Sequence, residues 1–169
     1  MFSWRITKYN PQYRNALGRY TKKEWTSVSE VGVDFGGYLL TKEDYIHVED
    51  SYVSAVIEFM NSLKITSLRI KCLEKRNELR GEDYTDEMSR LHKMLKENGV
   101  LNIDEIRNIV RMVLRETVWC KLENTDSMFV HFGYDYYMYI GSNKMCKKTI
   151  DKIMKMGLFV EPYSSPYLE

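Results

Sequence analysis

The sequence predicts an α+β fold: an antiparallel sheet with about four helices packed on it. Three observations carry that prediction. Apolar residues recur at spacings of three and four between residues 42 and 62, and again between 103 and 114. The period then changes to two across residues 117–140. The connections inside that stretch, Asn124-Thr125-Asp126 and Tyr134-Asp135, are too short to join anything but antiparallel neighbours.

Residues 3–38 are the least regular part. They are rich in rings and bases (Tyr9, Tyr13, Tyr20, Trp25; Arg5, Lys8, Arg14, Arg19, Lys22, Lys23), with turn residues at Asn10-Pro11, Gly18, Gly32 and Gly36-Gly37. A short strand fits Ser3 to Thr7. The remainder is expected to lie over the domain as an arm held by its aromatic rings. Thr41 caps the first helix, with Glu43 and Asp44 in its first turn where the helix dipole favours acids. Tyr45, Val48, Tyr52, Val56, Phe59 and Leu63 form its buried stripe, and Glu43, His47, Asp50, Ser54, Glu58 and Asn61 its opposite face.

A strand is expected from Ile65 to Leu73, with Leu68, Ile70 and Cys72 on one side, then a turn at Arg80-Gly81-Glu82-Asp83. Thr85 caps a more polar second helix, expected to stop at Asn98-Gly99. Asn102 with Glu105 forms an Asn variant of the capping box and opens the third helix. Thr117–Glu123, Ser127–Gly133 and Tyr136–Ile140 follow as strands. Ser142 is expected to cap a basic helix that runs to about Met156 and stops at Gly157. A strand from Leu158 to Val160 precedes an exposed Pro/Tyr/Ser tail. No linker, repeat or shift in composition divides the chain, so residues 1–169 read as one domain, with an arm over 1–40 packed on a core over 41–161.

Composition narrows the function classes. The chain has 169 residues, 44% of them hydrophobic, with 25 Lys and Arg against 24 Asp and Glu. A net charge of +1 argues against general coating of nucleic acid, which makes a nucleic-acid partner unlikely. No apolar run is long enough for a membrane span, and the N-terminus lacks the apolar stretch of a secretory signal, so a cytoplasmic protein is expected. Cys72, Cys120 and Cys146 are scattered and odd in number, which fits reduced, buried thiols. The three histidines are dispersed, and neither a metal nor any other cofactor is expected.

In the meander, alternation sorts Val118, Cys120, Leu122, Met128, Val130, Phe132, Met138 and Ile140 onto one apolar face. Trp119, Lys121, Glu123, Phe129, His131, Tyr137 and Tyr139 fall on the other. The second face is either a recognition surface or is covered by a helix, with its polar tips at the edge. It also holds the residue types of a metal-independent nuclease, with His131, Glu123, Lys121 and Tyr137 as base, acid and phosphate cation. A Cys120/His131 nucleophilic pair is rejected, because alternation separates the two. Glu43, His47 and Asp50 could hold a metal, but a solvated acidic face is the plainer reading. Arg107, Arg111 and Arg115 form an i, i+4 ridge, and Lys144, Lys147, Lys148, Lys152 and Lys155 make the last helix basic. Both are read as exposed faces, with phosphate or nucleic-acid binding as the sharper alternative.

Two stretches carry a resemblance. One runs from Ile6-Thr7-Lys8-Tyr9-Asn10-Pro11 through Tyr20 to Glu24-Trp25-Thr26-Ser27-Val28-Ser29-Glu30-Val31-Gly32. The other runs from Trp119-Cys120-Lys121-Leu122-Glu123 through Phe129-Val130-His131-Phe132-Gly133 to Tyr136-Tyr137-Met138-Tyr139-Ile140-Gly141. Together they resemble small bacterial proteins found as immunity partners of polymorphic or contact-dependent toxins. That resemblance implies a non-enzymatic binding protein whose partner is a cognate toxin, and it assigns no residue a catalytic role. The expected contact residues are the carboxylates Glu43, Asp50 and Glu58 of the first helix. Asp126 and Asp135, beside Tyr134, Tyr136 and Tyr137, are the other candidates, because rings bordered by charge make strong anchors.

Overall fold

The computed structural model describes residues 1–79 and 83–168. The turn expected at Arg80-Gly81-Glu82-Asp83 therefore falls mostly outside the described residues. Among these the chain forms β1 (Phe2–Thr7), α1 (Lys42–Leu63), β2 (Ser67–Lys75), α2 (Asp86–Met94), β3 (Val100–Asn102) and α3 (Ile103–Leu114). There follow β4 (Val118–Asn124), β5 (Met128–Phe132), β6 (Met138–Ser142), α4 (Lys147–Lys155) and β7 (Phe159–Pro162). The strands make one seven-stranded sheet in the order β3-β2-β4-β5-β6-β1-β7, antiparallel at every pairing. The fold is α+β, and no helix among the described residues is long and apolar enough to cross a membrane.

Local chemistry explains most boundaries. The Thr41 hydroxyl accepts from the Asp44 amide, and Lys64 ends α1 in the left-handed region. Asn102 and Glu105 satisfy each other's amides in the capping box that opens α3. Leu68, Ile70, Val118, Cys120, Leu122, Val130, Met138 and Ile140 are buried on the apolar sheet face. They share one apolar cluster with Tyr52, Val56 and Phe59 of α1 and Ile106, Val110 and Val113 of α3.

Several boundaries differ from the sequence reading, each because a distant strand supplies a better partner. The second helix stops at Met94, short of Asn98-Gly99. Residues 97–99 turn to β2 instead: the Glu97 carboxylate accepts from the Cys72 and Leu73 amides, and the Asn98 amide donates to the Ile70 carbonyl. That carboxylate holds a register shift in β2 between Lys71 and Glu74. Cys72 lies in the left-handed region within it (φ 54°) and is exposed, not buried. Ser142 does not cap α4. It is the last residue of β6, paired with both Met128 and Phe2, and α4 begins five residues later with no side-chain cap. The final strand is also shifted, to Phe159–Pro162. Finally, β1 is not part of an overlying arm: it lies inside the sheet between β6 and β7.

Between the helices lies a buried charge. Glu49 is fully buried, on the packed side of α1, and not on the solvated acidic face. Arg115 grips it with two bonds (Nε to Oε1, 2.6 Å; Nη2 to Oε2, 2.8 Å), and Arg111 adds a third (2.9 Å). The Tyr45 hydroxyl donates to Oε1 at 3.1 Å. Two members of the arginine ridge therefore point inward, with Arg111 also reaching Asp50 at 2.7 Å. Only Arg107 remains exposed.

On the other sheet face, Phe129 lies over Gly141, its cross-strand partner. A Cβ on Gly141 would fall 2.0 Å from the Phe129 ring.

Glu49→Ala leaves two arginines without their buried partner, and urea unfolding should show a loss of about 3–5 kcal/mol. Gly141→Ala should cost about 1–3 kcal/mol through overpacking. The double variant with Phe129→Ala should be less unstable than the sum of the two single changes.

Candidate functional site

The polar-aromatic face of the meander is covered, but not by a helix. The chain's two terminal segments cover it. From the C-terminal side, Ser165 is buried and its hydroxyl lies 2.8 Å from His131 Nδ1. Lys121 Nζ donates to the Tyr167 carbonyl at 2.7 Å, and the Tyr167 ring lies about 6 Å from those of Trp119, His131 and Tyr139. The tail expected to be exposed is thus partly a lid on the sheet. From the N-terminal side, Arg14 donates to the Tyr137 hydroxyl at 2.8 Å, and Tyr9 packs on the same ring. Arg5 pairs with Glu161 and stacks its guanidinium over Tyr163. The cover leaves two clefts, one near each end of β5.

The expected nuclease constellation assembles only in part: Lys121, Glu123 and His131 share one cleft, with Glu123 Oε1 3.6 Å from His131 Nε2, and Tyr137 is apart from them. His131 and Lys121 line the cleft near the β4–β5 turn, whereas Tyr137 lines the other. His131 is only 2% exposed, and burial with Lys121 nearby pushes its imidazolium down to about 4. Cys120 lies in the core on the opposite face, its thiol pushed up to about 12 by burial. Both histidine and thiol are held in their neutral forms at pH 7. Among the described residues, no group of three acidic, histidine or cysteine side chains is placed to hold a metal.

The expected contact residues separate as well. Asp50 is paired with Arg111, and Glu58 with Lys152 at 2.8 Å, while Glu43 is exposed. Asp126 sits in the β4–β5 turn and Asp135 in the β5–β6 turn, at opposite ends of one strand, so they do not form a single patch. Tyr136 is removed from any contact surface, because it is 6% exposed and belongs to the core. Tyr136 precedes β6 in the turn, and its ring is carried into the core among Trp25, Tyr45 and Tyr52.

What remains is a turn with unusual construction. Tyr137 N donates to the Tyr134 carbonyl at 3.1 Å, and Asp135 and Tyr136 are both left-handed (φ 56° and 65°). This is the I′ geometry that hairpins ordinarily make with Asn or Gly. Holding a tyrosine there costs about 1–2 kcal/mol, which the burial of its ring among Trp25, Tyr45 and Tyr52 offsets. The Tyr136 hydroxyl donates to the Leu114 carbonyl (3.0 Å), 3.1 Å from the Tyr45 hydroxyl that reaches Glu49. Tyr9 and Tyr52 hydroxyls donate to the carbonyls of Asp135 (2.7 Å) and Tyr136 (2.6 Å). Tyr134 stands on this pinned turn with 86% of its surface exposed. Beside it opens a cleft of about 640 Å³, lined among others by Trp119, Tyr137, Tyr167, Glu74, Glu116 and Asp135.

Compared with protein-family models, curated proteins and solved structures, the chain matches none of them.

A buried histidine held neutral contributes stability above its unfolded value near 6.5. That contribution disappears as pH falls towards 4, at about 1.4 kcal/mol per unit. Unfolding free energies measured from pH 7 to pH 4 should fall less steeply for His131→Gln than for the native chain. His92, also pushed down by burial and by Lys75, supplies acid sensitivity that remains in both.

Proposed function

We propose that this chain is a binding protein of the immunity type, which neutralises a cognate bacterial toxin by masking its active site. One observation carries the reading: Tyr134 is almost fully exposed on a turn whose backbone accepts from two core hydroxyls, Tyr9 and Tyr52, and whose own Tyr136 hydroxyl is anchored on the Leu114 carbonyl. Exposed rings usually lose rotamer and loop freedom when they bind. Here the loop is already ordered, so less of the contact energy is spent on ordering it. Asp135 and Glu116 border the ring, and carboxylates around an aromatic anchor suit a partner surface that presents cations. On this reading the contact surface is the β5–β6 turn and its cleft. The acidic residues of α1 are secondary, since Asp50 and Glu58 already have cationic partners.

The test starts from the neighbouring gene: if it ends in a toxin-like C-terminal domain, that domain is co-expressed with this chain, and affinity is then measured on the purified proteins. Tyr134→Ala should cost about 2 kcal/mol or more of binding. Asp135→Lys should cost about 2–5 kcal/mol, mainly through faster dissociation. Lys148→Glu, on exposed α4, should leave protection intact. Loss of protection in Lys148→Glu, with both turn variants still protecting, would place the partner on the basic helix. RNA cleavage by the purified chain that vanishes in His131→Gln would instead make it the small nuclease of the alternative reading.

A further inference from the structure

The second cleft, of about 380 Å³ near the β4–β5 turn, has a different character. In the β2–β4 pairing Lys71 faces Lys121 directly, next to Arg69 opposite Glu123. Like charges at directly opposed sheet positions repel. Both lysines nevertheless bond only to neutral oxygens. Lys71 Nζ donates to Asn98 Oδ1 at 2.6 Å, and Lys121 Nζ to the Tyr167 carbonyl at 2.7 Å. Arg69 likewise donates to the Asn98 carbonyl at 2.8 Å. None of the three takes part in an ion pair among the described residues.

His131, also lining this cleft, presents a buried nitrogen without a partner. Its Nδ1 faces the Ser165 hydroxyl, which already accepts from the Tyr167 amide at 3.2 Å. Among the described residues Nδ1 is the acceptor within reach of that hydroxyl hydrogen, and this pairing assigns the ring proton to Nε2. Nε2 makes no hydrogen bond, its nearest carboxylate oxygen being Glu123 Oε1 at 3.6 Å. A cleft with three cations and an unsatisfied buried N–H on three adjacent strands lacks an acceptor. Donors lining one cleft from three adjacent strands suit a tetrahedral group with three free oxygens better than a planar carboxylate with two.

We propose that this cleft binds a phosphoryl group, taken either as free phosphate or as a small phosphomonoester, between Lys71, Lys121, Arg69 and His131 Nε2. Glu123 and Asp126 also line the cleft, so the three cations are opposed by two carboxylates and binding is moderate.

The test is titration of the full chain with inorganic phosphate and with glycerol 3-phosphate at constant ionic strength, followed by backbone amide NMR. Saturable shifts at residues of β2, β4 and β5 are expected. Lys71→Gln should weaken binding about tenfold, the loss of one charge-assisted bond, and it leaves the Lys121 tether to the tail untouched. Glu123→Gln should tighten it, a gain that a purely structural role for these residues does not produce. Tighter binding of phosphate or of the monoester identifies the source, and either supports the site. The proposal is overturned if neither ligand saturates, or if affinity is the same in the native chain, Lys71→Gln and Glu123→Gln.

Discussion

A single buried carboxylate ties the two central helices to each other, beside the turn that joins β5 to β6. Glu49 has no access to water, so its charge is tolerable only because two arginines and a tyrosine hydroxyl surround it. Those partners come from α1 and α3, and the Tyr136 hydroxyl of the β5–β6 turn lies 3.1 Å from that of Tyr45 while donating to the Leu114 carbonyl at the end of α3. Arg115 stays charged, held well above the ordinary arginine range by the same carboxylate despite its own burial. The relative position of α1, α3 and the turn is therefore fixed by directional bonds as well as by apolar contact. Apolar packing alone would tolerate small slides between helices, whereas a two-bond arginine fork does not.

The turn that presents Tyr134 depends on that arrangement. A left-handed tyrosine at position 136 is unfavourable in isolation and is held because its ring and hydroxyl have a prepared place. The strain and the exposed neighbour belong together. With the backbone at 135 and 136 fixed, the Tyr134 side chain has no core position available and projects into solvent beside the cleft. The terminal segments act in the same sense on the sheet face, closing its middle over His131 and Tyr139 while leaving a cleft near each end of β5. The two clefts differ in chemistry because one is bordered by rings and carboxylates and the other by cations from β2 and β4.

The sequence by itself determined what depends on neighbours close along the chain. The caps at Thr41, Thr85 and Asn102, the apolar stripes of α1 and α3, and the two-faced alternation of the meander are all local, set by i, i+3, i+4 or i, i+2 geometry. The separation of Cys120 from His131 follows from the same alternation. Glu49 was in part legible, since it lies four residues from Tyr45 and three from Tyr52 on the buried stripe, where an acid requires a cation. Only the tertiary structure decided which cation, which hydroxyl and which carbonyl would answer it. The early end of α2, the loss of a cap at Ser142, the burial of Tyr136 and the closing of the polar sheet face by Ser165 and Tyr167 share one cause. Each is settled by a hydrogen-bonding or packing partner tens of residues away, and such a partner leaves no period in the local sequence.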